Sequence, residues 1–287
     1  MLRSIVIALD GSPSSLQAIR LGLELARRHQ AHVEGLGIVN SAWIQHPEAV
    51  PADGIAYKIV LNPQELQDSA ERMKTVLRDF EDKASEAGVA SCKARRVEGN
   101  PAEAIEIEAA SHDLIVLGRG SLVSVAGEIS ELPWCVEHIV RGEPRPVLLV
   151  PDGTASRQSG TQAPVVVGYD GSPASSRVIH MFALLGLAAG RIIHVITLDR
   201  SSAVRAEETA ARACTLLRRH RAAEAYAVGL GDREAGTPAE TILGLTKTLG
   251  AGMIVMGAYG HRGIQEIFGS CTREVLHVCP TPLFVHH

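Results

Sequence analysis

Four short signatures occur twice along the chain, in the same order. DGSP stands at 10–13 and 170–173, an offset of 160, and G-x-P-A-E at 99–103 and 236–240, an offset of 137. I-V-[LM]-G stands at 115–118 and 254–257, an offset of 139. P-[VL]-[LF]-x-V closes each half at 146–150 and 282–285, the second copy one residue shorter, with its prolines 136 apart. Repeats in one fixed order mean a duplicated unit. The 287 residues therefore divide into two domains of about 140 residues each. We place them at 1–150 and 164–287, joined by a polar, turn-rich linker, PDGTASRQSGTQA, at 151–163. The fall in offset from 160 to 137 puts 23 extra residues in the first half. The stretch SAWIQHPEAVPADGIAYKIVLNPQ, 41–64, belongs to that excess. It is either a lid or partner surface, as long loops often are, or an ornament packed on the pair of domains.

Inside each half, strand-like and helix-like patterns alternate. Residues 5–9 form a short apolar run, and Leu16, Ile19, Leu23 and Ala26 then share one helical face behind Pro13, a residue suited to a helix start. Residues 32–39 read as a second strand. Leu66, Ala70, Met73, Leu77, Phe80 and Ala84 make a stripe of period 3.6. A third strand over 92–97 has a weak pattern; a helix over 102–110 and strands over 114–117 and 147–150 follow. The second half repeats the scheme from Val165, Val178, Ile192, Ala223, Pro238, Met253 and Leu283. Such alternation predicts the α/β class, with a mostly parallel sheet covered on both faces.

Composition narrows the function. Aromatics are 3% of a chain that is 46% hydrophobic, so the core rests on Val, Ile, Leu and Ala. A net charge of -4 argues against a broad nucleic-acid surface. No apolar run approaches the roughly 18 residues of a membrane span. The start, MLRSIVIALDGS, runs directly into a strand without a signal peptide. Five scattered cysteines fit reduced thiols, and we expect a cytoplasmic protein.

In a doubly wound sheet, ligands sit at the carboxyl ends of the strands where the strand order reverses. Two polar signals fall at such ends in each half: Asp10 and Asp170 after the first strand, Gly118 and Gly257 after the fourth. The loop GAYGHRGIQEIFGS, 257–270, has the parts for phosphate. Gly257 and Gly260 allow close backbone approach. Gly269 and Ser270 precede a helix expected over 271–278, whose free N–H groups favour an anion. His261, Arg262 and Arg273 add donors or charge. Asp170 repels phosphate and suits ribose hydroxyls instead. Both aspartates have a plainer alternative, shaping a strand-to-helix turn. No Walker motif, no Rossmann glycine fingerprint and no G-x-S-x-G elbow is present. Cys271, His277, Cys279, His286 and His287 match no usual zinc spacing.

These residues resemble the universal stress protein family in its tandem two-domain form, over nearly the whole chain. The resemblance rests on the strand-one DGS, the I-V-M-G ending strand four, the glycine loop and the terminal P-x-x-V strand. It implies two tandem doubly wound domains, each a five-stranded parallel sheet in the order 3-2-1-4-5 with helices on both faces, paired through their last strands. It also implies ATP with Mg²⁺ in the second domain, at Asp170, Gly171, Ser172, Gly257, Gly260, Gly269 and Ser270. Backbone near Val195 and Ile196 would meet adenine, with His261, Arg262, Cys271 and Thr272 beside the phosphates. ATP-binding members space the loop as G, two residues, G, nine residues, G-[ST]; here eight residues separate Gly260 from Gly269. The first half departs further. Pro133 and Trp134 stand opposite Gly269 and Ser270, Glu128 and Glu131 add negative charge, and the loop is three residues longer. Proline has no N–H for an anion. Asp10 and Gly118 thus mark a degenerate site. The resemblance implies a stress-response regulator acting through protein partners or a homodimer rather than an enzyme. The alternatives are a scaffold that binds no nucleotide, or a slow ATPase with His261 or Glu266 as a weak base.

Overall fold

A computed structural model describes residues 1–41, 55–120, 134–153, 163–231, 236–258 and 267–287. The chain forms two compact units, Arg3–Ile139 on one side and Met1–Leu2 with Val140–His287 on the other.

The first unit runs β1 (Ser4–Leu9), α1 (Pro13–His29), β2 (His32–Val39), α2 (Ile55–Glu86), β3 (Cys92–Glu98), α3 (Pro101–Ala109) and β4 (Leu114–Gly118), and it enters α4 (Trp134–Gly142). All strand pairs are parallel, in the order β3-β2-β1-β4. The centre of the sheet reads as continuous apolar runs because both faces are covered. Ile5, Ile7 and Leu9 in β1 and Leu114 to Leu117 in β4 have no exposed surface. β3 lies at the sheet edge and is mostly exposed, which is why its pattern in the sequence is weak.

Two glycines in β2 decide how α2 seats. A Cβ on Gly35 would stand 2.5 Å from the Phe80 ring, and one on Gly37 would stand 2.5 Å from the Met73 sulfur. The missing side chains are notches that receive these two knobs. Met73, Phe80 and Ala84 are buried, whereas Leu66, Ala70 and Leu77 of the same stripe are half-buried. α2 begins at Ile55, so residues 55–64 of the expected insertion extend this helix; residues 42–54 lie outside those described.

The second unit contains the end of α4, β5 (Val147–Val150), β6 (Val165–Gly168), α5 (Pro173–Leu184), β7 (Ile192–Leu198), α6 (Ala203–Arg219), β8 (Glu224–Leu230), α7 (Pro238–Thr248), β9 (Met253–Gly257), α8 (Ile267–Val278) and β10 (Leu283–His286). Its strands lie in the order β5-β10-β9-β6-β7-β8, parallel except for β5 against β10. The two last strands therefore pair, with Leu149 opposite Leu283 and Val147 opposite Val285. Phe284 of β10 meets Phe182 of α5 edge to face, ring centres 5.4 Å apart. The expected α/β class and mostly parallel sheet are found. The order 3-2-1-4-5 is met by all five strands of the second repeat and by the first four of the first, whose fifth strand is counted with the second unit.

Candidate functional site

β1 and β6 both leave the sheet through Asp-Gly-Ser, and the two turns are built alike. Asp10 Oδ1 accepts the Ser12 N–H at 2.8 Å, and Asp170 Oδ1 accepts the Ser172 N–H at 2.9 Å. The serine hydroxyls then cap α1 and α5 by accepting the N–H groups of Ser15 and Ser175, at 3.1 and 3.2 Å. Gly11 and Gly171 sit at φ 79° and 77°, where only glycine is comfortable. Asp-Gly-Ser is thus a structural turn in both repeats, the plainer alternative for the two aspartates. It leaves each aspartate with a second carboxylate oxygen outside that turn bond.

Gly257 ends β9 against the first turn of α5. A Cβ there would stand 3.2 Å from the carbonyl carbon of Ala174 and 3.3 Å from the Ser175 nitrogen. The glycine is explained by this close approach. Its carbonyl accepts the hydroxyl of buried Thr272 at 3.1 Å, which ties α8 to the strand end. Burial pushes the neighbouring Cys271 thiol up to about 12, with further contributions from Glu274 and Asp170. Asp170, Gly257, Cys271 and Thr272 are therefore brought together.

One expectation changes here. α8 begins at Ile267, so Gly269 and Ser270 lie within its first turn rather than before it. The apolar spacing Ile267, Cys271, Val275 carries the helical period four residues further upstream than we read it. The N–H groups of the first three residues of a helix, here 267–269, have no acceptor within it, so that of Gly269 is among them. Gly260, His261 and Arg262 lie outside the described residues. Arg273 is exposed on α8.

The residues of the implied adenine contact lie inside a strand. Val195 and Ile196 are buried in the middle of β7, paired with β6 and β8, and the Ile196 carbonyl accepts the Tyr169 N–H at 2.9 Å. The carboxyl end of β7 lies further on, at Leu198 and Asp199.

In the first repeat a cavity of about 590 Å³ opens at the same sheet edge, lined by Asp10, Val39, Asn40, Ser69, Arg72 and Val76 among others. That volume suits a small-molecule ligand. Arg72 donates to Ser69 Oγ at 2.8 Å. The second repeat fills the corresponding place differently. Gly11 faces Val76 and Gly171 faces Thr209, an offset of 133 (209 minus 76) that makes Arg205 the counterpart of Arg72. The strand offset of 160 (199 minus 39) makes Asp199 the counterpart of Val39. Asp199 and Arg205 form an ion pair at 3.0 Å, and Ser201 donates to the same carboxylate. The Ser201 hydroxyl and then Arg205 hold the Asp199 carboxyl well below the usual carboxylate range. Neither this pair nor Arg72 stands out in the sequence, because the two helices belong to halves of unequal length.

At the first repeat's other strand end, Gly118 closes buried β4, and Trp134 is the first residue of α4. Trp134 is exposed and stacks on His138 at 4.8 Å. Pro133, Glu128 and Glu131 lie outside the described residues.

A doubly wound α/β unit used twice in one chain, with polar residues at the strand carboxyl ends, is the class this fold defines. The chain belongs to the universal stress protein family, whose model matches residues 1–151 and 163–287. It is 24% identical over 298 residues to the universal stress protein Slr1230 of Synechocystis, covering 98% of this chain and 99% of that one. Among solved structures it is similar to a universal stress protein from Archaeoglobus fulgidus, with TM-score 0.66 and 20% identity over 99% of this chain and 97% of that one. A protein of Pseudomonas aeruginosa PAO1 has TM-score 0.60 and 16% identity over 99% and 92% of the two chains. No described helix is long and apolar enough to cross a membrane.

Proposed function

We propose that the chain is a stress-response regulator whose second repeat binds ATP, with Mg²⁺, between Asp170 and the start of α8. The convergence of Asp170, Gly257, Cys271 and Thr272 at that helix start carries this reading. The Asp170 carboxylate accepts from ribose hydroxyls, and Gly171 and Ser172 hold its turn. The first N–H groups of α8, in the turn that holds Gly269 and Ser270, take the phosphates with the positive end of the helix dipole. Gly260, His261 and Arg262 complete the phosphate side from the loop. The base lies toward the end of β7 at Leu198 and Asp199, beyond Val195 and Ile196. In this reading nucleotide occupancy rather than turnover is the signal, read by a protein partner or a second copy of the chain.

Mass spectrometry of the supernatant from heat-denatured protein tests this. An adenine nucleotide released in proportion to the protein is the expected result. Its absence, together with no ATP binding by the same preparation, overturns the reading. The Asp199–Arg205 pair gives a sharper prediction. Asp199→Val, which copies the first repeat, removes a negative charge near the nucleotide and frees Arg205. It is expected to tighten ATP binding several-fold in calorimetry, and weaker binding contradicts the proposed position of the base.

The first-repeat cavity favours a second reading, a smaller ligand without phosphates beside Asp10. Adenosine binding retained by an Asp170→Ala variant supports it. Loss of all adenosine binding in that variant rejects it.

A further inference from the structure

We propose that His32, Glu34 and His112 form a site for one divalent transition-metal ion of the zinc type, at the amino ends of the first unit's strands. This is the opposite end of those strands from Asp10 and the cavity beside it. His32 and Glu34 are two residues apart in β2 and so project from the same face. His112 arrives just before β4, its ring 6.3 Å from that of His32 and inclined to it by 25°. One potential ligand atom from each residue lies within 4.8 Å of the others.

Hydrogen bonding prepares each group. His112 Nδ1 lies 2.9 Å from the Glu108 carbonyl, which can only accept. The ring proton is therefore on Nδ1, and Nε2 presents a lone pair, the arrangement typical of a metal-bound histidine. His32 Nδ1 is engaged by Ser91 Oγ at 2.8 Å, again leaving Nε2. Glu34 is only 3% exposed, and its Oε1 has no hydrogen-bond partner among the described residues. A buried carboxylate oxygen without a partner is costly and asks for an explanation. A cation between the two Nε2 atoms and Oε1 supplies one.

The donor set selects the ion. Two imidazoles and one carboxylate suit zinc and its neighbours, whereas calcium and magnesium prefer oxygen throughout. Ligand atoms about 2.1 Å from a tetrahedral ion lie about 3.4 Å from one another, so separations of up to 4.8 Å need to close by at most about 1.4 Å. The fourth position falls to water. Lys93 is the nearest competing cation, at 3.2 Å from Glu34 Oε2. It holds the other oxygen and is half-exposed, so it can remain or swing into solvent as the ion enters. Arg95 is occupied by Glu108 at 2.8 Å.

The test uses full-length protein freed of metal with a chelator, then titrated with Co²⁺ and Zn²⁺. One Co²⁺ per chain with visible absorption of a tetrahedral complex, displaced by Zn²⁺, is expected. Glu34→Gln and His32→Ala should each weaken binding at least tenfold. His180→Ala, on the exposed surface of α5, should not. His32 is half-exposed, so its variant separates loss of a ligand from loss of the fold, which the far-ultraviolet dichroism of each metal-free variant verifies. No binding by the wild type, or equal affinity in wild type and both site variants, overturns the proposal.

Discussion

Phe80→Ala is expected to destabilise the first unit by about 3–5 kcal/mol, the range for removing a fully buried ring. Phe80 has no exposed surface, and its ring rests in the notch left by Gly35. On that side the cavity would be walled by β2 backbone, which is held by parallel ladders to β1 and β3. Backbone fixed on two sides cannot collapse into the space, which places the cost toward the upper end of the range. The two units need not unfold together, so a single melting curve is the wrong measurement. Native-state hydrogen exchange with mass spectrometry reads β2 alone. A loss of 3 kcal/mol corresponds to about a hundredfold loss of amide protection or more. Protection unchanged in β2 would show that α2 does not hold the strand as described.

Acid is expected to weaken the second unit by about 2 kcal/mol between pH 6.5 and pH 4, through His286. Burial, then His287 and Arg177, lowers the His286 pKa from 6.5 to about 4. Its Nδ1 is buried without a hydrogen-bond partner among the described residues. The folded unit holds the ring neutral, whereas the unfolded chain takes up a proton below pH 6.5. Unfolding therefore binds a proton in this window, and stability falls with pH until the folded ring also titrates, near pH 4. The full difference corresponds to about 3 kcal/mol, and residual solvent at the strand end reduces it to about 2 kcal/mol. Denaturant titrations followed across this range on wild type and His286→Gln would measure it. The variant should lose most of the slope; an identical slope would assign the acid sensitivity elsewhere.

Much of the architecture was legible because it is periodic or repeated. The duplicated signatures gave the tandem plan and the places where polar residues meet strand ends. The stripe through Met73 and Phe80 gave α2. What stayed hidden depends on how elements register in space. Glycine in a strand has no signature of its own, and only the helix opposite shows Gly35 and Gly37 to be notches. Gly257 read as a phosphate glycine, and its near contact with Ala174 and Ser175 gives it a packing role as well. The start of α8 was misplaced by four residues, because Gly269 looked like the end of a loop. His112 is 80 residues from His32 in sequence (112 minus 32), and no spacing rule joins them.

Calorimetric titration of Mg²⁺–ATP into nucleotide-stripped protein tests the central claim most directly, with Asp170→Ala and Asp10→Ala measured beside the wild type. The turn bonds of the two aspartates are nearly identical, at 2.9 and 2.8 Å, so both variants should lose similar stability. Only their role at a ligand should separate them. We expect micromolar binding by the wild type, roughly 7–8 kcal/mol. It should weaken at least tenfold in Asp170→Ala and stay unchanged in Asp10→Ala. No heat of binding in the wild type, or equal affinity in wild type and Asp170→Ala, would contradict a nucleotide site at Asp170.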